Sequence, residues 1–319
     1  MQEVIGVKNL IKRYRKAEKN AVDGVSFSVQ EGQLFALLGP NGAGKTTTIS
    51  ILTTTLSKTS GEVHIAGFDI EKQETEVRQR IGVIFQNPSL DKNLTAEENV
   101  RFHASLYGLY PFRPTFGLMP RTYKDKIFEL AELVDIKKEI FDPIKTYSGG
   151  MKRKLEIIRG LMHNPKVLFL DEPTTGLDPL SRRNVWQYLK SVREKEKVTI
   201  FLTTHYLEEA EDADQIYIIN HGKIVSHGTA REISKDLIRE YLLIEAEDST
   251  RLKGELQGLG VTPTEEEGGL LRIDLNPERT AQKVIRSIQT PLTTLKIHTP
   301  TLEEAYLEII SKGTEEHNQ

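Results

Sequence analysis

Residues 39–46 read Gly-Pro-Asn-Gly-Ala-Gly-Lys-Thr, which satisfies the spacing G-x-x-x-x-G-K-[ST], directly after the apolar run at 34–38 and before a helix-forming stretch. A glycine-rich turn between a strand and a helix points consecutive backbone N–H groups into one concavity, at the positive end of the helix. Such a turn reads as a nucleoside triphosphate site on an α/β sheet. Gly39, Pro40, Asn41, Gly42, Ala43 and Gly44 would wrap the phosphates, Lys45 would reach the β- and γ-phosphates, and Thr47 would follow at the first helical turn. Thr46 supplies a hydroxyl for Mg²⁺, an ion that keeps most of its waters and takes few protein ligands. At ordinary residue frequencies the pattern arises by accident in about one chain in a hundred of this length, so the flanking strand and helix carry weight in the reading.

A second element lies far downstream, where residues 167–174 run Val-Leu-Phe-Leu-Asp-Glu-Pro-Thr. A short apolar run bounded by carboxylates reads as a buried parallel strand, and open parallel sheets bind ligands beyond their strands' C-terminal ends. Asp171 is expected there, holding Mg²⁺ through its water shell. Side chains alternate along a strand, so Glu172 is expected on the other face, orienting an attacking water as general base. The plain alternative is a solvated acid at a strand end.

The third element, residues 147–166, opens with Tyr-Ser-Gly-Gly ahead of an amphipathic helix. Ser148 on its own reads as a helix N-cap. Two consecutive glycines, Gly149 and Gly150, cost a helix about 1 kcal/mol each, which makes sense where backbone must approach a ligand, so this turn reads as a second anion site.

In this order the motifs resemble those of the ATP-binding subunits of ATP-binding-cassette (ABC) transporters. The resemblance assigns the phosphate loop to residues 39–46, the signature to Ser148, Gly149 and Gly150, and the acidic strand to residues 168–172. It further implies that Gln86, after the apolar run 81–85, contacts Mg²⁺ and the lytic water and moves with the membrane subunit. By the same resemblance Asp178 communicates across a dimer, His205 contacts the γ-phosphate, and Tyr14 stacks on adenine. Taken singly, Gln86 is an ordinary loop residue, His205 a helix-start or core histidine, and Tyr14 an aromatic at a sheet edge. The signature departs from the commoner form at Tyr147 and Met151, a variant similar to that of the daunorubicin, multidrug and antibiotic-export (ABC-2 type) branch. The implied protein is an ATPase with ATP and Mg²⁺ as cofactors, lying peripherally on the cytoplasmic face of the membrane. It would pair as a C2 homodimer with two composite sites and power a separate integral membrane permease, exporting a drug-like, antibiotic or lipid compound. The alternative class is a soluble ABC ATPase acting on a ribosome or DNA, or a nucleotide switch without turnover. A single phosphate loop and the presence of Glu172 and His205 count against it.

Composition agrees. The 319 residues carry 38% hydrophobic and 28% charged side chains, globular values, with no window approaching 18 consecutive apolar residues and no signal-peptide pattern. Absence of cysteine excludes disulfides and thiol chemistry, and the 8 histidines show no metal-ligand spacing. A net charge of −3 argues against a nucleic-acid partner. Lys152, Arg153 and Lys154, and likewise Arg182 and Arg183, read as solvated helix faces.

The expected architecture is α/β: an ABC cassette with a RecA-like P-loop core sheet over residues 1–229, into which a helical subdomain is inserted at about 90–165. Thr95, with Glu98 three residues later, has the capping-box spacing that starts a helix. Residues 107–122 hold three prolines and are expected to be poor in helix. They read as a surface loop whose aromatics cover a local patch, or as a contact to the membrane subunit. A small α+β domain is expected over 230–312, part of 250–269 being loop, followed by a disordered polar tail at 313–319.

Overall fold

In the computed structural model, which describes residues 2–87, 89–237, 240–266, 269–276 and 279–315, the glycine turn at 39–44 sits at the end of a central parallel strand. That strand, β3 (Leu34–Leu38), is buried at every position, as are β7 (Val167–Asp171) and β8 (Thr199–Thr204). With β6 (Ile81–Ile84), β9 (Gln215–Asn220) and β10 (Lys223–Gly228) they form one six-stranded sheet in the order β10-β9-β3-β8-β7-β6. The five strands from β9 to β6 run parallel. Continuous apolar runs of this kind need cover on both faces. One helix, α1 (Lys45–Leu52), starts at the glycine turn, and α6 (Pro179–Glu196) bridges β7 to β8, with α7 (Leu207–Glu211) between β8 and β9.

A second sheet was not foreseen. β1 (Glu3–Lys12), β2 (Val22–Gln30), β4 (Ser60–Ile65) and β5 (Phe68–Asp69) pair antiparallel in the order β2-β1-β4-β5, with the short α2 (Glu74–Arg78) leading back to β6. Its buried face joins that of the parallel sheet in one core cluster. Phe27 on β2 stacks on Phe35 at 5.1 Å between ring centroids, and Phe35 stacks on Phe201 at 4.9 Å. The two sheets therefore bury each other's apolar faces through an aromatic stack.

The insertion between β6 and β7 is helical: α3 (Ala96–Leu106), α4 (Arg121–Leu133) and α5 (Gly149–Leu161). Thr95 and Glu98 make both bonds of the capping box at the start of α3. Glu97, Arg101 and Tyr123, all buried, join α3 to α4 through a 3.1 Å ion pair and a 3.0 Å bond from the Tyr123 hydroxyl. Residues 107–120 contain only a 3₁₀ turn at Phe116–Leu118. The Phe116 ring meets the edges of Phe128 and Phe141 at 5.6 and 5.0 Å, so part of this stretch covers a local aromatic patch, while Leu106, Tyr107 and Phe112 stay exposed.

The chain divides into two compact units, the first ending at His227 and the second beginning at Gly228. The second opens with α8 (Ala230–Leu237) and then builds a βαββαβ layer: β11 (Tyr241–Ala246), α9 (Ser249–Gly258), β12 (Thr264–Glu265), β13 (Leu271–Asp274), α10 (Ala281–Ser287) and β14 (Leu292–His298). Its sheet is antiparallel, in the order β12-β13-β11-β14, with Leu252 and Leu256 of α9 and Val284 of α10 over Leu242, Ile244 and Ile273. Of the stretch 250–269, expected to be loop in part, 250–258 is helix and 259–263 is outside helix and strand, while Glu267 and Gly268 lie outside the described residues. The last helix, α11 (Leu302–Glu315), runs past residue 312, where a disordered tail was expected to begin. A helix entered through the Thr301–Glu304 capping box propagates at low cost, whatever the polarity of its end. Residues 316–319 lie outside the described residues.

Candidate active site

The glycine turn holds its shape through positions that admit no side chain, Gly44 among them. Gly44 has φ +110°, and a Cβ there would stand 2.5 Å from the Ala21 carbonyl oxygen, so no other residue fits. Lys45 follows at the first position of α1, nearly buried, with its ammonium donating to the Gly39 and Pro40 carbonyls at 2.8 and 3.1 Å. The same ammonium lies 3.4 Å from Glu172 Oε1. Burial pulls the Lys45 pKa down, and the Glu172 carboxylate opposes that only in part.

Asp171 is the last residue of β7, and its Oδ1 accepts from the Thr203 hydroxyl at 2.5 Å and faces the Thr46 hydroxyl at 3.5 Å. Burial pushes its carboxyl up, and the Thr203 bond does not cancel that. Glu172 was expected to diverge from Asp171 by the pleat of a strand. Instead β7 has already ended, and Glu172 takes φ +44°, a left-handed conformation costing about 1–2 kcal/mol for a residue with a side chain. Its N–H donates to both the carbonyl and the hydroxyl of Thr203, at 3.1 Å each. The turn sends its carboxylate toward three groups. Gln86 Nε2 and Thr175 Oγ1 donate to Oε2 at 3.2 and 3.1 Å, and His205 Nδ1 stands 3.3 Å from it, at ion-pair distance without hydrogen-bond geometry. Burial raises the Glu172 carboxyl, but the Lys45 ammonium and His205 outweigh burial and hold it below the usual carboxylate value.

Tyr14 stands beside the loop with its ring 45% exposed and its hydroxyl 3.3 Å from Thr47 Oγ1. The structure therefore gathers Tyr14, the 39–47 loop, Gln86, Asp171, Glu172 and His205 around one centre. Ser148, Gly149, Gly150 and Asp178 form a separate group. Ser148 caps α5 by accepting from Met151 N at 3.2 Å, Asp178 caps α6 by accepting from Ser181 N at 2.9 Å, and Gly150 faces the Ser181 side chain. Among the described residues no hydrogen bond or ion pair joins this group to Lys45, Thr46 or Glu172.

One residue in each of the two basic clusters departs from the solvated face expected of it. Arg153 is 4% exposed, because the inner side of α5 lies against the strand ends, and Arg182 sits over the Tyr206 ring at 4.0 Å. Thr175 and Thr203 are further residues that sequence reasoning passed over. Each touches a carboxylate of the site, but a threonine on a strand or turn carries no signal until its neighbour in space is known.

Comparison with known proteins follows the same lines. The sequence family described as ABC transporter matches residues 22–175. The daunorubicin resistance ATP-binding protein DrrA3 of Streptomyces coeruleorubidus is 33% identical over 305 residues, 93% of each chain. The linearmycin resistance ATP-binding protein LnrL of Bacillus subtilis is 39% identical over 235 residues, 73% of this chain and 72% of that one. Among solved structures, a dimeric ATP-binding cassette in a post-hydrolysis state with ADP and phosphate is 26% identical, with a TM-score of 0.60 over 70% of this chain and 98% of that one. With a phosphate loop facing paired carboxylates on such a sheet, and 33% identity to the daunorubicin resistance ATP-binding protein over 93% of each chain, this chain belongs to the ABC transporter family as an ATP-binding, ATP-hydrolysing subunit.

Proposed function

We propose that this ATPase powers export of a drug-like, antibiotic or lipid compound through a separate membrane permease, working as a homodimer at the cytoplasmic face of the membrane. The names of the relatives resistant to daunorubicin and linearmycin support that cargo class. Among the described residues no helix is long and apolar enough to cross a membrane, which is consistent with the pathway lying in another subunit.

In this reading the 39–44 amides and Lys45 bind the phosphates, and Tyr14 carries the adenine ring. Thr46, Gln86 and Asp171 would hold Mg²⁺. The residues fit that ion, since they offer hard oxygens: a hydroxyl 3.5 Å from a carboxylate, and the amide oxygen left free when Gln86 Nε2 donates to Glu172. Bound Mg²⁺ would neutralise charge on the phosphate oxygens. Glu172 takes the proton of the attacking water as general base, while Gln86 and Thr175 fix its carboxylate and His205 donates to the γ-phosphate. Ser148, Gly149, Gly150 and Asp178 lie apart from this centre in their own chain, so they are left to close over the nucleotide of a second copy.

The observation that carries the mechanism is the Glu172 carboxylate between Lys45, Gln86 and His205. Steady-state hydrolysis by the purified chain, with and without vesicles bearing its permease, tests it. Glu172→Gln should keep ATP binding and lose about two to four decades of turnover, the worth of a general base. Near wild-type turnover in that variant removes Glu172 from the role, and vesicles that leave the wild-type rate unchanged remove the transporter coupling.

A further inference from the structure

Arg153 lies five residues beyond Ser148 on α5, and its buried guanidinium spends its protons on the ends of two strands. Nε donates to the Pro173 carbonyl at 2.5 Å and Nη2 to the Glu172 carbonyl at 3.2 Å. Nη1 donates to the Phe85 carbonyl at 2.6 Å and to Glu156 Oε2 at 3.0 Å. Glu156, one turn on and itself buried, accepts from Ser89 N at 3.2 Å through its other oxygen. Three backbone carbonyls and a carboxylate converge here, all acceptors, and only a planar cation with five donors satisfies such a set.

The carbonyls are not arbitrary ones. Phe85 immediately precedes Gln86, and Glu172 holds the carboxylate read above as the general base. The left-handed backbone of Glu172 is thereby pinned from both sides, its N–H by Thr203 and its carbonyl by Arg153. A strained conformation persists only where its surroundings over-determine it. If the carbonyl is released, the peptide after Glu172 is free to relax, and the carboxylate swings away from Lys45 and Gln86.

We propose that Arg153 is a positioning residue for hydrolysis: it clamps the Glu172 peptide and the root of the Gln86 loop to helix α5, so that the general-base carboxylate stands where the attacking water must be. This rests on Glu172 acting as that base. A misplacement of about 1 Å at such a group costs about 100-fold in rate.

The test uses the full chain, with single-turnover ATP hydrolysis read beside nucleotide affinity for Arg153→Met and Arg153→Lys, each made in the wild-type and in the Glu172→Gln background. In the wild-type background Arg153→Met should slow hydrolysis about 100-fold and Arg153→Lys about 10-fold, since an ammonium replaces some of the lost donors, with affinity for ATP within about twofold. In the Glu172→Gln background the same substitutions should change the residual rate less than about twofold, because the group they position is gone. An undiminished loss in that background, or a loss of affinity matching the loss of rate, makes Arg153 a structural staple and overturns the proposal. An Arg153→Lys chain that does not fold overturns it equally, and if only Arg153→Met fails to fold the lysine variant decides. Failure of the general-base reading shows separately, as Glu172→Gln alone turning over near the wild-type rate.

Discussion

Thr203→Val removes one hydroxyl from the active site with little collateral change. Thr203 is fully buried on β8, and valine keeps its shape and β-branching, so neither a cavity nor a lost strand preference enters. Two bonds change, but their consequences differ. The Glu172 N–H keeps the Thr203 carbonyl at 3.1 Å, whereas Asp171 Oδ1 is left with the Thr46 hydroxyl at 3.5 Å, beyond a good hydrogen bond. A bond to a charged group contributes about 1.5–3 kcal/mol, so the first unit should lose about 2 kcal/mol. With a urea dependence of about 2 kcal/mol/M, the unfolding midpoint falls by about 1 M. The chain's one tryptophan, Trp186, is buried on α6, so its fluorescence reports on that unit. In an Asp171→Asn background the same substitution should cost about half as much, since charge-assisted bonds are roughly twice as strong as neutral ones. A midpoint within about 0.2 M of wild type, or an equal loss in both backgrounds, refutes the assignment of Thr203 as the support of Asp171. If Asp171 holds Mg²⁺ through water, the Mg²⁺ concentration for half-maximal hydrolysis should also rise about 10- to 100-fold, the usual effect of removing a partner behind a metal ligand.

Gly82 on β6 packs against α5, and a Cβ there would stand 2.3 Å from the Gly160 carbonyl oxygen, so Gly82→Ala should push the helix off the sheet. About 1–3 kcal/mol of overpacking is expected in urea unfolding, with hydrolysis falling further than stability because Gln86 and Arg153 ride on the displaced elements; unchanged turnover would contradict this. Glu98 receives the Thr95 N–H and hydroxyl at 2.8 and 2.9 Å, and these bonds hold its carboxyl below the ordinary value of 4.5. The folded chain then binds fewer protons than the unfolded one, so this stabilisation is complete above 4.5 and is lost as pH falls through the depressed value. Glu98→Gln should accordingly be less stable than wild type by a few tenths of a kcal/mol near neutrality and indistinguishable from it in acid, by paired urea curves; a deficit independent of pH would refute the sign.

The phosphate loop, the acidic strand and the helix caps at Thr95 and Ser148 were legible in the sequence because each is local. A glycine at Gly44, a lysine one residue on, or a Thr–Glu pair three residues apart fixes its own geometry within a turn or two. The apolar runs that became β3, β6 and β7 were legible for the same reason, since burial on both faces leaves an uninterrupted apolar run. Only the tertiary structure decided what depends on pairs distant in the chain. The antiparallel sheet of β1, β2, β4 and β5 gains its buried face from Phe35 and from Phe201, the latter on a strand far from it in sequence. The direction of the Glu172 carboxylate came from a left-handed residue held by Thr203, 31 positions on, and by Arg153, 19 positions back, rather than from the alternation of a strand. Arg153 itself sits in a basic triplet that composition assigns to solvent, and its burial follows from which side of α5 meets the ends of β6 and β7. Local spacing thus determined which chemical groups the chain would bring. Packing across large sequence separations determined which of them face one another, because that depends on surfaces no single segment contains.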